Sequence, residues 1–236
     1  MTVTNSPTAT NIYTSTATAT NTPTTPATAT NPYTSTATAT AIPPAVATAT
    51  TNPAFPQTGI LDDYNRSDGS IGTSWGGKTT GFNLIGNRLI VGTGGDIYWK
   101  SPSFGANQEA FVTFTVSDPV TTEVDLILKS QSSASKASGL LEVLYNPAKK
   151  RIRVYTYTVA QGWMKRGMDI RVAFMNGDQF GARTTENGLV YVYRNGVLLE
   201  TVNVTGWPYY PNGGYIGLWV HSPSNSILDN FGGGTP

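Results

Sequence analysis

Every Asp, Glu, Lys, Arg and His of this 236-residue sequence lies at or beyond Asp62. A chain that confines its charges in this way has two physically different parts. The first part is threonine, alanine and proline. TNIYTSTATAT from Thr10 returns as TNPYTSTATAT from Thr30, and Pro7, Pro23, Pro26, Pro32, Pro43, Pro44, Pro53 and Pro56 interrupt the pattern. Such a stretch cannot bury enough apolar area to offset the ~1–2 kcal/mol of backbone entropy that each ordered residue loses. Residues 1–57 are therefore expected to form an extended stalk or linker, stiffened by proline and β-branched threonine. The composition matches Ser/Thr/Pro-rich stalks that carry O-linked glycans. A second reading stays open, because Thr-Ala alternation has the period of a strand and could pair with other copies in a filament.

The rest of the chain, residues 58–236, is expected to fold as one domain. A net charge of +1 with scattered Lys and Arg gives no footprint for nucleic acid. With no cysteine, disulfide frameworks and thiolate metal sites are excluded. No apolar run is long enough to insert in a bilayer. Met1-Thr2-Val3 is not followed by a basic and then an apolar region, so no secretory leader is visible, and an exported protein would be expected to carry one upstream.

From Ile60 onward, short alternating apolar segments recur with turn residues between them. EAFVTFTV from Glu109 puts Val112, Phe114 and Val116 on one face and Phe111 and Thr113 on the other. EVDLILK from Glu123, LLEVLY from Leu140, RIRVYTYT from Arg151, LVYVYRNG from Leu189 and YIGLWV from Tyr215 repeat the theme. Asn195-Gly196 is the strongest hairpin signal, since a type I′ turn needs positive φ at both central residues. No segment carries a capped helical stripe. Many closely spaced strands predict an all-β fold, a two-sheet antiparallel sandwich or a barrel.

DDYNRSDGSIGTSW near the start of this part, NGDQFGARTTENGLVYVYRNG in the middle and GGYIGLWVHSPSNSILDNFGGG at the end carry a likeness. In order and spacing the chain resembles the concanavalin A-like lectin/glucanase superfamily, in its laminin G-like jelly-roll branch of secreted bacterial proteins. The resemblance implies a jelly-roll sandwich of two antiparallel sheets, one concave, and an extracellular or cell-surface location. It does not choose among lectins, adhesion modules and glycosidases. Glucanases of that superfamily carry E-x-D-x-x-E or E-x-D-x-E on one strand. Here Glu123-Val124-Asp125 continues as Leu126-Ile127-Leu128-Lys129, without the second glutamate. One carboxylate cannot serve as both nucleophile and acid, so the pair reads as the polar edge of a strand and no enzyme is expected.

Sugars are held by aromatic faces with a few planar polar groups. Trp163 in AQGWMKRG, and Trp207, Tyr209 and Tyr210 in TGWPYYPNGG, are candidates for such a platform. The alternative is that these rings cap the ends of the core. Trp75, Trp99 and Trp219 sit among strand residues and read as core. Jelly rolls of this kind often hold a structural calcium where first and last strands meet, which makes Asp63 and Asp229 the candidate metal ligands, against a plain turn role. His221 reads as a surface residue. The leading expectation is a non-catalytic module that binds a polysaccharide or cell-surface glycan from the end of its stalk. The alternative is a structural subunit that self-assembles through its Thr-rich arm.

Overall fold

The computed structural model describes residues 54–221 and 224–236. The repeat arm up to Pro53 lies outside the described residues. Fifteen strands occur among them: β1 (Ile60–Asp62), β2 (Trp75–Gly77), β3 (Phe82–Leu84), β4 (Leu89–Val91), β5 (Gly94–Trp99), β6 (Gln108–Val116), β7 (Val124–Ser130), β8 (Leu140–Asn146), β9 (Arg151–Thr158), β10 (Gly162–Arg171), β11 (Gln179–Thr184), β12 (Leu189–Arg194), β13 (Val197–Asn203), β14 (Tyr215–His221) and β15 (Ile227–Gly234). Every pairing between them is antiparallel. The front sheet runs β10-β9-β8-β7-β14-β5-β2, and the back sheet runs β13-β12-β11-β6-β15-β4-β3 with β1 beside β15.

Alternation builds the core. Val124, Leu126 and Leu128 of β7, Leu141, Val143 and Tyr145 of β8, and Ile216, Leu218 and Val220 of β14 point inward from the front sheet. They meet Val112 and Phe114 of β6, Phe180 and Ala182 of β11, and Val190 and Val192 of β12 from the back sheet. Strand positions two apart share a face, so the intervening residues of each strand must lie outside this core. The β12–β13 hairpin turns on Asn195 and Gly196 with φ of 52° and 76°, as the sequence predicts.

The sandwich begins earlier than the expected boundary at residue 57. Phe55 is 8% exposed and stacks on Tyr193 with ring centroids 4.0 Å apart, on the outer side of the back sheet. Gly181 lies beneath it, where a Cβ would stand 2.2 Å from the Phe55 ring. A buried ion pair clamps the segment that follows. Arg183 Nε donates to Glu109 Oε1 at 2.8 Å across the β6–β11 ladder. Glu109 Oε2 accepts from the Gln57 and Thr58 backbone N–H groups at 2.9 and 3.0 Å, and Arg183 Nη2 donates to the Ala54 carbonyl at 2.8 Å. The segment is therefore fixed by ring stacking and by charge-assisted hydrogen bonds, not by strand pairing.

Candidate glycan-binding trench

The outer face of the front sheet follows from strand register. One row across it reads Tyr98, Gly217, Ile127, Glu142, Tyr155 and Lys165. The next reads Asp96, Trp219, Asp125, Leu144 and Arg153. Beyond it, the His221 backbone N–H donates to the Glu123 carbonyl at 3.2 Å, and Asn146 pairs with Arg151. Six strands thus bring carboxylates, arginines and aromatic rings to one surface.

This surface is curved inward. Trp163 on β10 and Trp219 on β14 belong to strands four ladder steps apart, about 19 Å of backbone at the usual spacing. Their ring centroids are nevertheless only 5.9 Å apart. The sheet must curl toward this face for the two indoles to meet. Beside them lies a cavity of about 400 Å³. Glu142, Leu144 and Asn146 of β8 form its floor. Arg151, Arg153, Tyr155 and Trp163 stand on one side, and Glu123, Trp219 and His221 on the other. Lys136 and Lys149 reach in from the connections at the two ends of β8.

Trp163 is 39% exposed and packs against Tyr157 and Tyr155 with centroids 4.9 and 6.4 Å away. Trp219 belongs to a small outer cluster with Tyr98, Ile127 and Leu140, separate from the inner core. Its ring stacks on His221 at 5.2 Å, and Lys136 Nζ lies 4.1 Å from its centroid. A cation over an indole face in a partly dry setting is worth about 0.5–2 kcal/mol.

Charge is divided across the trench. On the β9–β10 side, Arg151 and Arg153 donate to Asp169 at 2.9 and 3.0 Å, and Lys165 pairs with the same carboxylate. Hydrogen bonds from Arg153 and Lys165 hold that carboxyl below the usual range. On the β7–β8 side, Glu142 and Asp125 have no such ion pair among the described residues. Burial, aided by the charge of Glu123, pushes Glu142 up to about 8, against the weaker opposing pull of Lys136. Burial, then the charges of Glu142 and Glu123, raises Asp125 well above the carboxylate range. Asp125 is completely buried, neither carboxylate oxygen makes a hydrogen bond of normal geometry, and the Tyr145 backbone N–H only weakly opposes the upward push. Glu123 is more open and pairs with His221, Nε2 to Oε2 at 3.1 Å. Ligand atoms of Glu123, Asp125 and His221 all lie within 4.8 Å of one another.

Of the four rings expected to form a platform, only Trp163 lines this trench. Trp207 is fully buried in the inner core, with Nε1 donating to the Tyr157 carbonyl at 3.1 Å. Tyr209 and Tyr210 pack partly buried against the same core. The proline-bracketed loop crosses the surface but drops its tryptophan inward, so Trp207 has no face for a ligand. Nor is the Glu123/Asp125 pair a polar strand edge, since Asp125 is sealed beneath the outer layer. Trp219 is buried, as a strand tryptophan should be, but on the outer face of the front sheet. Asp63 is exposed, and its Oδ1 accepts from the Asn65 backbone N–H at 3.0 Å, an Asx turn. Asp229 Oδ1 accepts from the Asn230 N–H at 2.8 Å. No third acid or His joins these two in a ligating cluster among the described residues. Their neighbour Asp62 is held by Arg66 and by Trp75 Nε1.

No family model matches the sequence, and no curated protein matches it. Solved structures do match in shape. A protein from work showing that members of the human gut microbiota express endo-acting O-glycanases to initiate mucin breakdown superposes with a TM-score of 0.51. It is 10% identical, over 75% of this chain and 99% of the other. LamAcat from Zobellia galactanivorans superposes with a TM-score of 0.50 at 9% identity, over 75% and 97%. The carbohydrate-binding module CBM66 from Bacillus subtilis gives 0.43 at 12% identity, over 70% and 91%. The fold is a concanavalin A-like jelly roll. At such identities the likeness is one of architecture alone. The jelly roll fixes where the sheets lie, and the chemistry of this one must be read from its own trench.

Proposed function

We propose that the trench on the front sheet binds a glycan chain without cleaving it. The observation that carries this reading is Trp163, a large ring left 39% exposed on the wall of a cavity floored by Glu142 and Asn146. An indole face suits the C–H surface of a pyranose, and flanking carboxylate, amide and guanidinium groups suit its hydroxyls. Hydrolysis needs two carboxyl groups that both reach the glycosidic bond. Asp125 is fully buried and Glu142 is 5% exposed, which leaves Glu123 as the accessible member. Display outside the cell on the Thr-rich arm is part of the same proposal, supported by that arm's composition.

One observation favours a second reading. Glu142 stays protonated near neutral pH and has two carboxyl groups close by, the electrostatic setting of a general acid. In this reading Glu142 protonates the leaving oxygen.

A glycan array followed by calorimetry on the best ligand separates these readings. Binding by the full chain, weakened at least about tenfold in Trp163→Ala, supports recognition by the trench. Failure to bind neutral or acidic polysaccharides, or equal binding by the variant, would overturn it. Reducing sugar released by the wild type and lost in Glu142→Gln would establish the second reading instead.

A further inference from the structure

Glu123 and His221 in one wall of the trench, with Asp125 buried beneath it, form a constellation whose chemistry goes beyond stacking against a sugar. Glu123 and Asp125 are two residues apart and so project to the same side of β7. His221, at the end of β14, is pinned beside Glu123 by the backbone hydrogen bond between them. Asp125 has Trp219 and Leu144 as its ladder neighbours, neither of which can neutralise it. The charges that act on it from nearby are those of Glu142 and Glu123, both of its own sign. A carboxylate with no exposure, no hydrogen bond of normal geometry and like charges around it must acquire either a proton or a cation.

We propose that Glu123, Asp125 and His221 bind one divalent first-row transition cation of the Zn²⁺ or Mn²⁺ class. Three donors of the right type converge here. Imidazole nitrogen and carboxylate oxygen bind such ions at about 2.0–2.2 Å, which places neighbouring ligand atoms about 3–3.5 Å apart. The three side chains already have ligand atoms within 4.8 Å of one another, not far from that spacing. The histidine argues against Ca²⁺ and Mg²⁺, which take oxygen ligands. Stacking of His221 on Trp219, with planes 20° apart, fixes the ring that would carry the nitrogen donor. Glu123 and His221 are each partly exposed, and through them an ion would enter. The site differs in place and donor set from the Asp63/Asp229 pair. Glu123 and His221 also line the trench, so metal uptake is measured on the sugar-free chain, where its failure is distinct from failure of the glycan reading.

The test uses the full chain, free of any affinity tag, stripped with EDTA and returned to chelator-free buffer at neutral pH. Titration with ZnCl₂ and with MnCl₂ should show one equivalent of at least one of them bound per chain, with CaCl₂ at least tenfold weaker. The thermal midpoint should rise by about 5–10 °C at a hundredfold excess over Kd. Asp125→Asn should keep or raise the midpoint in EDTA, since an amide needs neither a proton nor a cation to be neutral, and should lose the metal-induced rise. His221→Ala, at a partly exposed position, should weaken binding at least tenfold and decides the matter if Asp125→Asn does not fold. No uptake of either ion at millimolar concentration, preference for Ca²⁺, or stoichiometric binding undiminished in the variants would overturn the proposal. The first of these results would mean that Asp125 simply holds a proton.

Discussion

Glu142 on β8 is the direct ladder partner of Ile127 on β7, so its carboxyl lies on the same outer face as Asp125, one row away. Both acids are buried under the curl of the sheet, and each raises the cost of ionising its neighbour. Two carboxyl groups held this way titrate together.

This coupling predicts an unusual pH profile. The folded-state pKa of Glu142 lies above its ordinary value of 4.5, at about 8. The folded state therefore binds more protons than the unfolded state across that interval. Its contribution is fully present below pH 4.5 and is lost as pH rises through 8. Urea unfolding in EDTA should give lower stability at pH 8 than at pH 5, by a few kcal/mol at most. Glu142→Gln should flatten the slope. An unchanged slope in that variant would show that Glu142 ionises normally.

Trp163 and Trp207, both expected to form the platform, should behave oppositely. Trp163→Ala removes an exposed wall of the trench and should cost little stability, within about 1 kcal/mol. Trp207→Ala empties a fully buried site and should cost about 3–5 kcal/mol. Denaturant midpoints for the two variants, beside ligand titrations, check both halves of the claim.

Phe55 makes the boundary of the domain measurable. Starting the chain at Thr58 discards the ring that stacks on Tyr193, and the carbonyl that accepts from Arg183. A loss of about 2–4 kcal/mol relative to a chain starting at Thr50 is expected. Gly181→Ala should approach the same loss, because the new methyl group takes the space of the ring. Equal unfolding midpoints would remove Phe55 from the fold.

At the β12–β13 hairpin, Gly196 has φ of 76° and a Cβ there would stand 2.9 Å from the Phe55 carbonyl oxygen. Gly196→Ala should cost about 1–2 kcal/mol, read by thermal unfolding. A neutral result would mean that the turn relaxes to another type.

The sandwich was legible because period-two alternation is a direct consequence of one buried face per strand. The site was much less so. Glu142 sits inside LLEVLY and Asp125 inside VDLIL, and each strand is buried on both faces here, which hides alternation. The available signal was the lone carboxylate within an apolar run, an expensive placement that needs a reason. E-x-D-x-E reasoning along one strand missed Glu142 because its neighbour in space comes from the next strand. Trp219 was placed in the core because burial was expected on one side of the sheet only. Trp207 misled in the other direction, since prolines mark a surface path for the backbone but say nothing of where a side chain goes.

The clamp on Phe55 has a mechanical corollary. It grips the back sheet, whereas the trench opens on the front one. A pull transmitted along the chain into Ala54 would arrive behind the molecule, while a polymer seated between Trp163 and His221 would resist from ahead. The two loads would act through the thickness of the core and would not peel either sheet from its edge.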